Sequence, residues 1–360
     1  MKQQRTSISS PGAQNLVSLV TIREVAVEAE VSVGTVSNVL NRPHVVAPET
    51  LNRVQQAISK LGFVRHAGAA LMRGGRARTI GLVVLDVANP FFTELARGAE
   101  DAAREHNHLI ILCNSDEDPE QEGRYLDVLE QQRVLGVLIS PVAADGSRLD
   151  GLRKRGTAIV LLEQARTNYC SVRADDVAGG ELAAGHLLDL GHQKLVYVSA
   201  SQSISQYRDR LAGVRRALVE RGQASSALEV IEVGAVGTMK DGSLAAAQIL
   251  NRQLSATGVV CGNDLIALGL TGALRRAGVS VPEEMSVVGY DDIELAEQNS
   301  LPLTTIRQPK QNMGRTAAKL LIDEAEQGAR HTHQQIVFQP DLIIRGTTQA
   351  IAHFPIGEQI

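Results

Sequence analysis

Residues 31–41 read VSVGTVSNVLN. On a helical period Val31, Val36, Val39 and Leu40 form one buried stripe, with Ser32, Thr35, Ser37 and Asn38 set between them. Upstream, TIRE at 21–24 matches a capping box, in which the Thr21 hydroxyl and the Glu24 carboxylate each satisfy an orphan backbone N–H. It predicts a helix through Ile22, Val25, Ala26 and Ala29. Downstream, Leu51, Val54, Ile58 and Leu61 recur at helical spacing, and Pro48 opens that third helix behind Ala47, a poor cap. Two helices joined by a tight turn, with a third packed behind, describe a helix-turn-helix whose second helix carries its first turn into the major groove. There Ser32, Thr35 and Ser37 can bond phosphates or bases, Asn38 can grip an adenine edge through both amide atoms, and Val33 can touch a thymine methyl.

The charge distribution agrees. The net charge of −4 hides a split: residues 1–78 hold 10 Lys+Arg against 4 Asp+Glu, or +6, and the remainder holds 26 against 36, or −10. A basic front on an acidic body points the front alone at a polyanion. With 44% hydrophobic and 21% charged residues the composition is that of a globular protein, and 360 residues are enough for two or three domains. Cys113, Cys170 and Cys261 are odd in number, widely spaced and without a CxxC, so neither a disulfide framework nor a zinc site is indicated, which fits a reducing cytoplasm. No apolar run has the length of a signal peptide or a membrane span, so a cytoplasmic location without membrane contact is expected.

Five segments follow from the pattern. Residues 1–19 read as a mobile tail, 20–63 as the DNA-binding head, 64–78 (VRHAGAALMRGGRAR) as a basic hinge linker, 79–348 as a core, and 349–360 as a short tail without heptads. In the core, TIGLVVLD, HLIILCN, GVLISPV, AIVLLEQ, KLVYVSA, LEVIEV, TGVVCGN and MSVVGYDD are apolar, β-branched runs. They alternate with amphipathic stretches at 92–105, 118–132, 176–190, 207–221, 240–253 and 264–277. Such alternation implies parallel sheets covered on both faces, and eight strands exceed one comfortable sheet, so a two-lobed α/β core is expected.

TIREVAVEAEVSVGTVSNVLN, APETLNRVQQAISKLGFV and RTIGLVV resemble the lactose-repressor/galactose-repressor family of transcription regulators. The likeness continues through DVANPFF (86–92), DDVAGG (175–180), LGH (190–192), RDRLAG (208–213), GNDLIALG (262–269), SVVGYDD (286–292) and TTIRQP (304–309), covering about residues 20–348. The resemblance implies a homodimer that binds near-palindromic double-stranded operator DNA, with a core like that of periplasmic sugar-binding proteins. The family's base-reading positions fall on Val33, Gly34 and Asn38, with Ser32, Thr35, Ser37, Asn41 and Thr50 supporting them or touching the backbone. Two departures stand out. Asn38 replaces a frequent Arg, which shifts the preferred base from guanine toward adenine or leaves the position weakly read, and Glu30 replaces a frequent turn Gly, costing roughly 1 kcal/mol if the turn is left-handed.

In the family the linker becomes a helix only on DNA and inserts a Leu from each subunit into the minor groove. Alignment assigns that wedge to Met72, with Leu71 beside it. Arg73, Arg76 and Arg78 would add diffuse phosphate attraction. A helix this short, carrying Gly68, is marginal and therefore usable as a switch.

Ligands of parallel α/β sheets bind beyond the carboxyl ends of strands. Asn89, Phe91 and Phe92 follow the first strand, where the family stacks an aromatic on a sugar ring. Arg210, Asn263, Asp291 and Gln308 fall where relatives contact ligand hydroxyls. Glu163 and Gln164 stand in place of a frequent Asp-Arg pair, which alters the pocket's charge and reach. The expected effector is a sugar or sugar derivative; a nucleoside, amino sugar, polyol or no small effector stays open.

The sequence has no GxSxG, Walker loop, HExxH or GxGxxG after a strand, and VAGGELAAGH has the wrong glycine spacing for a dinucleotide fingerprint. His106/His108 and His331/His333 are i, i+2 pairs without an acidic or Cys partner in sequence, and read as surface histidines. No enzyme activity, cofactor or metal is expected. A solute-binding protein without DNA function, and a regulator answering to a partner protein, are the alternatives to an effector-controlled repressor.

Overall fold

The computed structural model describes residues 20–63, 78–142, 146–234 and 237–351. The chain divides into two compact units, Met1–Arg76 and Ala77–Ile360. The wedge assigned to Met72, and the linker around it from 64 to 77, lie outside the described residues.

In the first unit, α1 (Ile22–Glu28), α2 (Val33–Asn41) and α3 (Pro48–Leu61) pack on one small core. Val25, Ala26, Ala29, Val36, Val39, Val54 and Ala57 are its buried residues, and Val31 and Leu40 of the anticipated stripe pack against it half-buried. The ends obey local chemistry. Thr21 and Glu24 complete the capping box, Pro48 stands in the first turn of α3, and Gly62 at φ 64° turns left-handed so that the Phe63 N–H reaches the Ile58 carbonyl at 3.0 Å. Glu30, between α1 and α2, adopts φ 53°. The family's glycine is thus replaced by a residue that pays the left-handed cost.

The second unit holds two sheets. In the first lobe the strand order is β11-β5-β4-β3-β1-β2, with β1 (Thr79–Val84), β2 (Leu109–Asn114), β3 (Gly136–Ile139), β4 (Ala158–Leu162), β5 (Cys170–Ala174) and β11 (Gln335–Phe338). All its pairs are parallel. Side chains of β1 alternate: Ile80, Leu82 and Val84 face α4 (Pro90–Glu105) and α12 (Lys310–Gln327), while Val83 joins the cluster under α5 (Pro119–Gln131) and α6 (Ser147–Lys154).

The second lobe has the order β12-β10-β9-β8-β6-β7, with β6 (Leu195–Ser199), β7 (Leu228–Glu232), β8 (Gly258–Cys261), β9 (Ser286–Asp291), β10 (Thr304–Arg307) and β12 (Asp341–Ile343). Here β10 and β12 pair antiparallel, so this sheet departs from the all-parallel expectation. Its faces are covered by α7 (Asp176–Asp189) with α8 (Ser205–Glu220), and by α9 (Met239–Asn251) with α10 (Asp264–Arg276); α11 (Glu294–Gln298) is a short addition. The glycines of VAGGELAAGH serve packing. A Cβ on Gly180 would collide with the Arg210 carbonyl, and one on Gly213 with the Val177 carbonyl, so α7 and α8 cross at backbone contact.

The chain passes between lobes after β5, after β10 and after β11. Hydrogen bonds continue past the expected core boundary at 348: the Gln349 carbonyl lies 3.1 Å from His192 Nε2, and the Ile351 N–H donates to the Leu190 carbonyl at 3.0 Å.

Candidate functional site

On the first unit, Ser32, Val33, Gly34, Asn38 and Asn41, at the cap of α2 and along it, are exposed, and Thr35 and Ser37 of α2 and Thr50 of α3 are half-exposed. Ser32 is the N-cap: its Oγ accepts the Thr35 N–H at 3.0 Å and lies 2.9 Å from the Thr35 hydroxyl. Each hydroxyl keeps spare capacity for a phosphate. Asn41 Nδ2 donates to the Ser37 carbonyl at 2.8 Å, which braces the end of the helix. Asn38 is exposed; its carbonyl accepts the Arg42 N–H at 2.6 Å, and its side-chain amide makes no hydrogen bond among the described residues. Gly34 is the informative position. A Cβ there would meet nothing closer than Ser32 Oγ at 3.5 Å, so the head's own packing does not require glycine. An exposed helical glycine costs about 0.5–1 kcal/mol relative to Ala, and the space it leaves faces outward.

In the second unit, a cleft at the carboxyl ends of the strands is lined by Asn89, Phe91, Phe92, Glu163, Asn263 and Asp291 among the expected residues. Asp86, Glu117, Gln206 and Tyr207 join them and were not anticipated. They lie in loops after strands or at helix starts, so the strand-end rule that found Asn89 would also have found Asp86 and Glu117. Asn89 and Asn263 cap α4 and α10, accepting the Phe91 N–H at 3.0 Å and the Ile266 N–H at 2.8 Å. Asn263 Nδ2 also donates to the Gly237 carbonyl at 2.9 Å and toward the Tyr207 hydroxyl at 3.2 Å. Phe91 and Phe92 meet edge to face at 5.0 Å and belong to the first lobe's core, so only part of each ring faces the cleft.

Arg210 and Gln308 stand behind the lining. Arg210 Nε donates to Asp176 Oδ1 at 2.8 Å, its guanidinium lies 3.7 Å over the Tyr290 ring, and Asp291 Oδ1 is 3.9 Å away. Gln308 Nε2 donates to Asp291 Oδ1 at 2.8 Å. Both hold Asp291 in place. Burial pushes Asp291 up to about 6, against the pull of Arg210 and Lys310. Burial also raises Glu163 to about 7, opposed by Arg210, while Ser140 Oγ donates to it at 2.9 Å. For Glu117 burial is reinforced by Asp86, Glu163 and Asp241, reaching about 8.

Three of these acids sit on strained backbone: Glu117 at φ 56°, Glu163 at φ 60° and Asp291 at φ 111°. Left-handed non-glycine residues cost roughly 1–2 kcal/mol each and gather where structure serves binding. The lining carries four carboxyls and no Lys or Arg, so it suits hydroxyl and ammonium donors. Its open volume is about 30 Å³, room for about two waters and well below the roughly 300 Å³ at which small-molecule sites begin.

His331 and His333 are half-buried rather than surface residues, and the fold brings Cys170 and Glu324 to them. No helix among the described residues is long and apolar enough to cross a membrane.

Residues 21–66 match the family of bacterial regulatory proteins, lacI family, and residues 184–348 match the periplasmic binding protein-like domain. The HTH-type transcriptional repressor PurR of Photobacterium profundum is 34% identical over 334 residues, 91% of this chain and 98% of its own length. The HTH-type transcriptional regulator GalS of Salmonella typhimurium is 33% identical over 331 residues, 91% of this chain and 96% of its own. Among solved structures, a LacI family regulator from Enterococcus faecium with bound ribose superposes with a TM-score of 0.71 at 34% identity, covering 76% of this chain and all of that one. The lac repressor dimer bound to operator and the anti-inducer ONPF gives 0.81 at 25% identity, covering 92% and 100%.

Proposed function

The chain belongs to the lacI family of bacterial regulatory proteins and is a DNA-binding transcription regulator, and from that premise we propose that it is a repressor whose grip on a near-palindromic operator is set by a sugar-like effector in the acidic cleft. The carrying observation is Gly34: a glycine that the head does not need internally, on the exposed face between Val33 and Asn38. It supports close approach of α2 to the floor of the major groove. Val33 and Asn38 then read bases, and Ser32, Thr35, Ser37, Asn41 and Thr50 hold phosphates or steady the helix.

In the cleft, Asp86, Glu117, Glu163 and Asp291 accept from ligand hydroxyls or an amine, Asn89 and Asn263 orient them, and Phe91 and Phe92 supply an apolar edge. Relatives with bound ribose and cellobiose favour a sugar, and the excess of carboxyls favours one that donates many hydrogen bonds, an amino sugar included. A pyranose is larger than the present opening, so its entry must part the lobes, and that motion is the means by which ligand and operator affinities become linked. The protein acts in the cytoplasm as a binding protein without catalysis. It works as a homodimer, with Leu109, Ile111 and Leu112 of the edge strand β2 as part of the mating surface; they are 71%, 42% and 43% exposed.

Selection of bound fragments from random duplex DNA, repeated with a panel of neutral and amino sugars, tests the reading. An enriched palindrome whose recovery changes with one sugar is expected. No preference among duplexes at moderate salt would overturn the DNA assignment, and an enriched palindrome indifferent to every sugar would overturn the effector class.

A further inference from the structure

Cys170, Glu324, His331 and His333 are far apart in sequence and adjacent in space. Cys170 opens β5 and is fully buried; Glu324 lies in the last turn of α12 and is 8% exposed; the two histidines sit on the segment between α12 and β11. Cys170 Sγ is 3.1 Å from His331 Nε2 and 3.8 Å from His333 Nδ1, and His333 Nδ1 is 3.9 Å from Glu324 Oε2. One ligand atom from each residue lies within 4.8 Å of every other. We propose that these four side chains bind one divalent transition-metal ion, zinc in the first place, as a closed tetrahedral site.

The geometry fits the ion. Zn–S near 2.3 Å with Zn–N and Zn–O near 2.0–2.2 Å spaces tetrahedral donors roughly 3.3–3.6 Å apart. The contacts at 3.1 to 3.9 Å straddle that range, and the widest separation, up to 4.8 Å, must close by about 1 Å. The donor set fits as well: one thiolate and two imidazoles select a borderline metal over calcium or magnesium, and thiolate plus carboxylate neutralise a 2+ charge.

Unmet bonding capacity is the independent sign. Glu324 Oε2 is a buried polar atom with no hydrogen-bond partner, a costly arrangement without some further group. The Gln334 N–H points at Cys170 Sγ at 3.3 Å, the kind of backbone donor that steadies a metal thiolate. One neighbour must adjust. Arg153 Nη1 lies 3.4 Å from His333 Nε2, which carries a proton once Nδ1 binds metal; Arg153 already has the Asn168 carbonyl at 3.0 Å as an alternative partner.

The site lies at the amino ends of β5 and β11, whereas the acidic cleft lies at the carboxyl ends, so it is independent of the effector reading. Bound metal would staple the end of α12 and its following segment to the edge of the first sheet.

Untagged full-length protein, stripped with chelator, is titrated with Co²⁺ and then Zn²⁺. One Co²⁺ per chain, a thiolate-to-cobalt charge-transfer band with tetrahedral visible absorption, and displacement by one Zn²⁺ are expected. Cys170→Ser removes the band. His333→Gln, at a half-exposed position that tolerates exchange, weakens Zn²⁺ binding by more than the roughly tenfold to hundredfold lost with an outer-shell partner. Absence of the band in the parent, its survival in Cys170→Ser, or Zn²⁺ affinity unchanged in His333→Gln overturns the site.

Discussion

Arg210 donates to Asp176 at 2.8 Å with both side chains nearly inaccessible to solvent, joining α8 to α7 beneath the cleft. The same guanidinium gives its Nη1 to the Gly262 carbonyl at 2.6 Å. Arg210→Ala therefore strands the buried Asp176 carboxylate and leaves Asp291 with Lys310 and Gln308 alone. Loss of one partner of a buried pair costs about 3–5 kcal/mol, so the variant should unfold at markedly lower urea concentration, and Asp176→Asn should recover part of that loss. A melting point within a degree or two of the parent would mean that the cation is not structural.

Glu30 makes the opposite case, a residue the backbone does not favour. At φ 53° it occupies a conformation that glycine reaches without steric cost. Glu30→Gly should stabilise the head by up to about 1 kcal/mol, read as slower amide exchange in α1 and α2. If exchange is unchanged or faster, the Glu30 side chain contributes a contact worth as much as the strain.

The three head helices were legible because their ends are written in local chemistry: Thr21 with Glu24, Pro48, Gly62. The eight long apolar runs were legible for the same reason, since a doubly covered strand must be apolar throughout. β5 was missed because Arg173 interrupts CSVRA, β10 because TTIR offers a single large apolar residue, and β11 and β12 because short edge strands carry little pattern. The helix Lys310–Gln327 has a readable stripe in Met313, Ala317, Leu320 and Leu321 but follows the last apolar run used to count strands. In the cleft, position after the first strand found Asn89 and the family resemblance placed Glu163 and Asp291, yet nothing local tells that Arg210 would turn inward to Asp176. Cys170 and His331 are 161 residues apart, and only the pairing of β11 with β5 makes them neighbours.

Gly34 and Asn38 separate affinity from specificity. Gly34→Ala should stabilise α2 by about 0.5–1 kcal/mol while lowering operator affinity, because the added methyl faces outward with no internal clash. Asn38→Ala should cost about 1–3 kcal/mol on the operator and little on random duplex. Competition gel shifts at fixed salt measure both. Equal losses on specific and random DNA would remove Asn38 from the base readers, and unchanged operator binding by Gly34→Ala would show that α2 does not approach the groove floor there.

An apolar edge left open would recruit further strands, and β2 presents one in Leu109, Ile111 and Leu112. Leu109→Asp combined with Leu112→Glu should convert the proposed homodimer to monomer, seen by light scattering, and weaken operator binding through loss of the second half-site. A double variant that stays dimeric would move the interface elsewhere on the core.

Glu117 and Glu163 give the cleft a pH signature. Burial raises both carboxyls, to about 8 and about 7; Asp86 and Glu163 add repulsion at Glu117, whereas Arg210 pulls Glu163 back against the push of Asp176. A raised carboxyl favours the folded state while protonated: its contribution is complete below the unfolded value near 4.5 and lost as pH climbs through the folded value. The core should thus melt at progressively lower temperature from about pH 5 to about pH 9. Glu117→Gln keeps the shape without the charge, so its melting point should fall less over the same range and exceed the parent's at the alkaline end. Scanning calorimetry on both proteins decides it. Parallel curves would mean that Glu117 is ionised without penalty, and the cleft would then hold its carboxylates by solvation rather than await a donor.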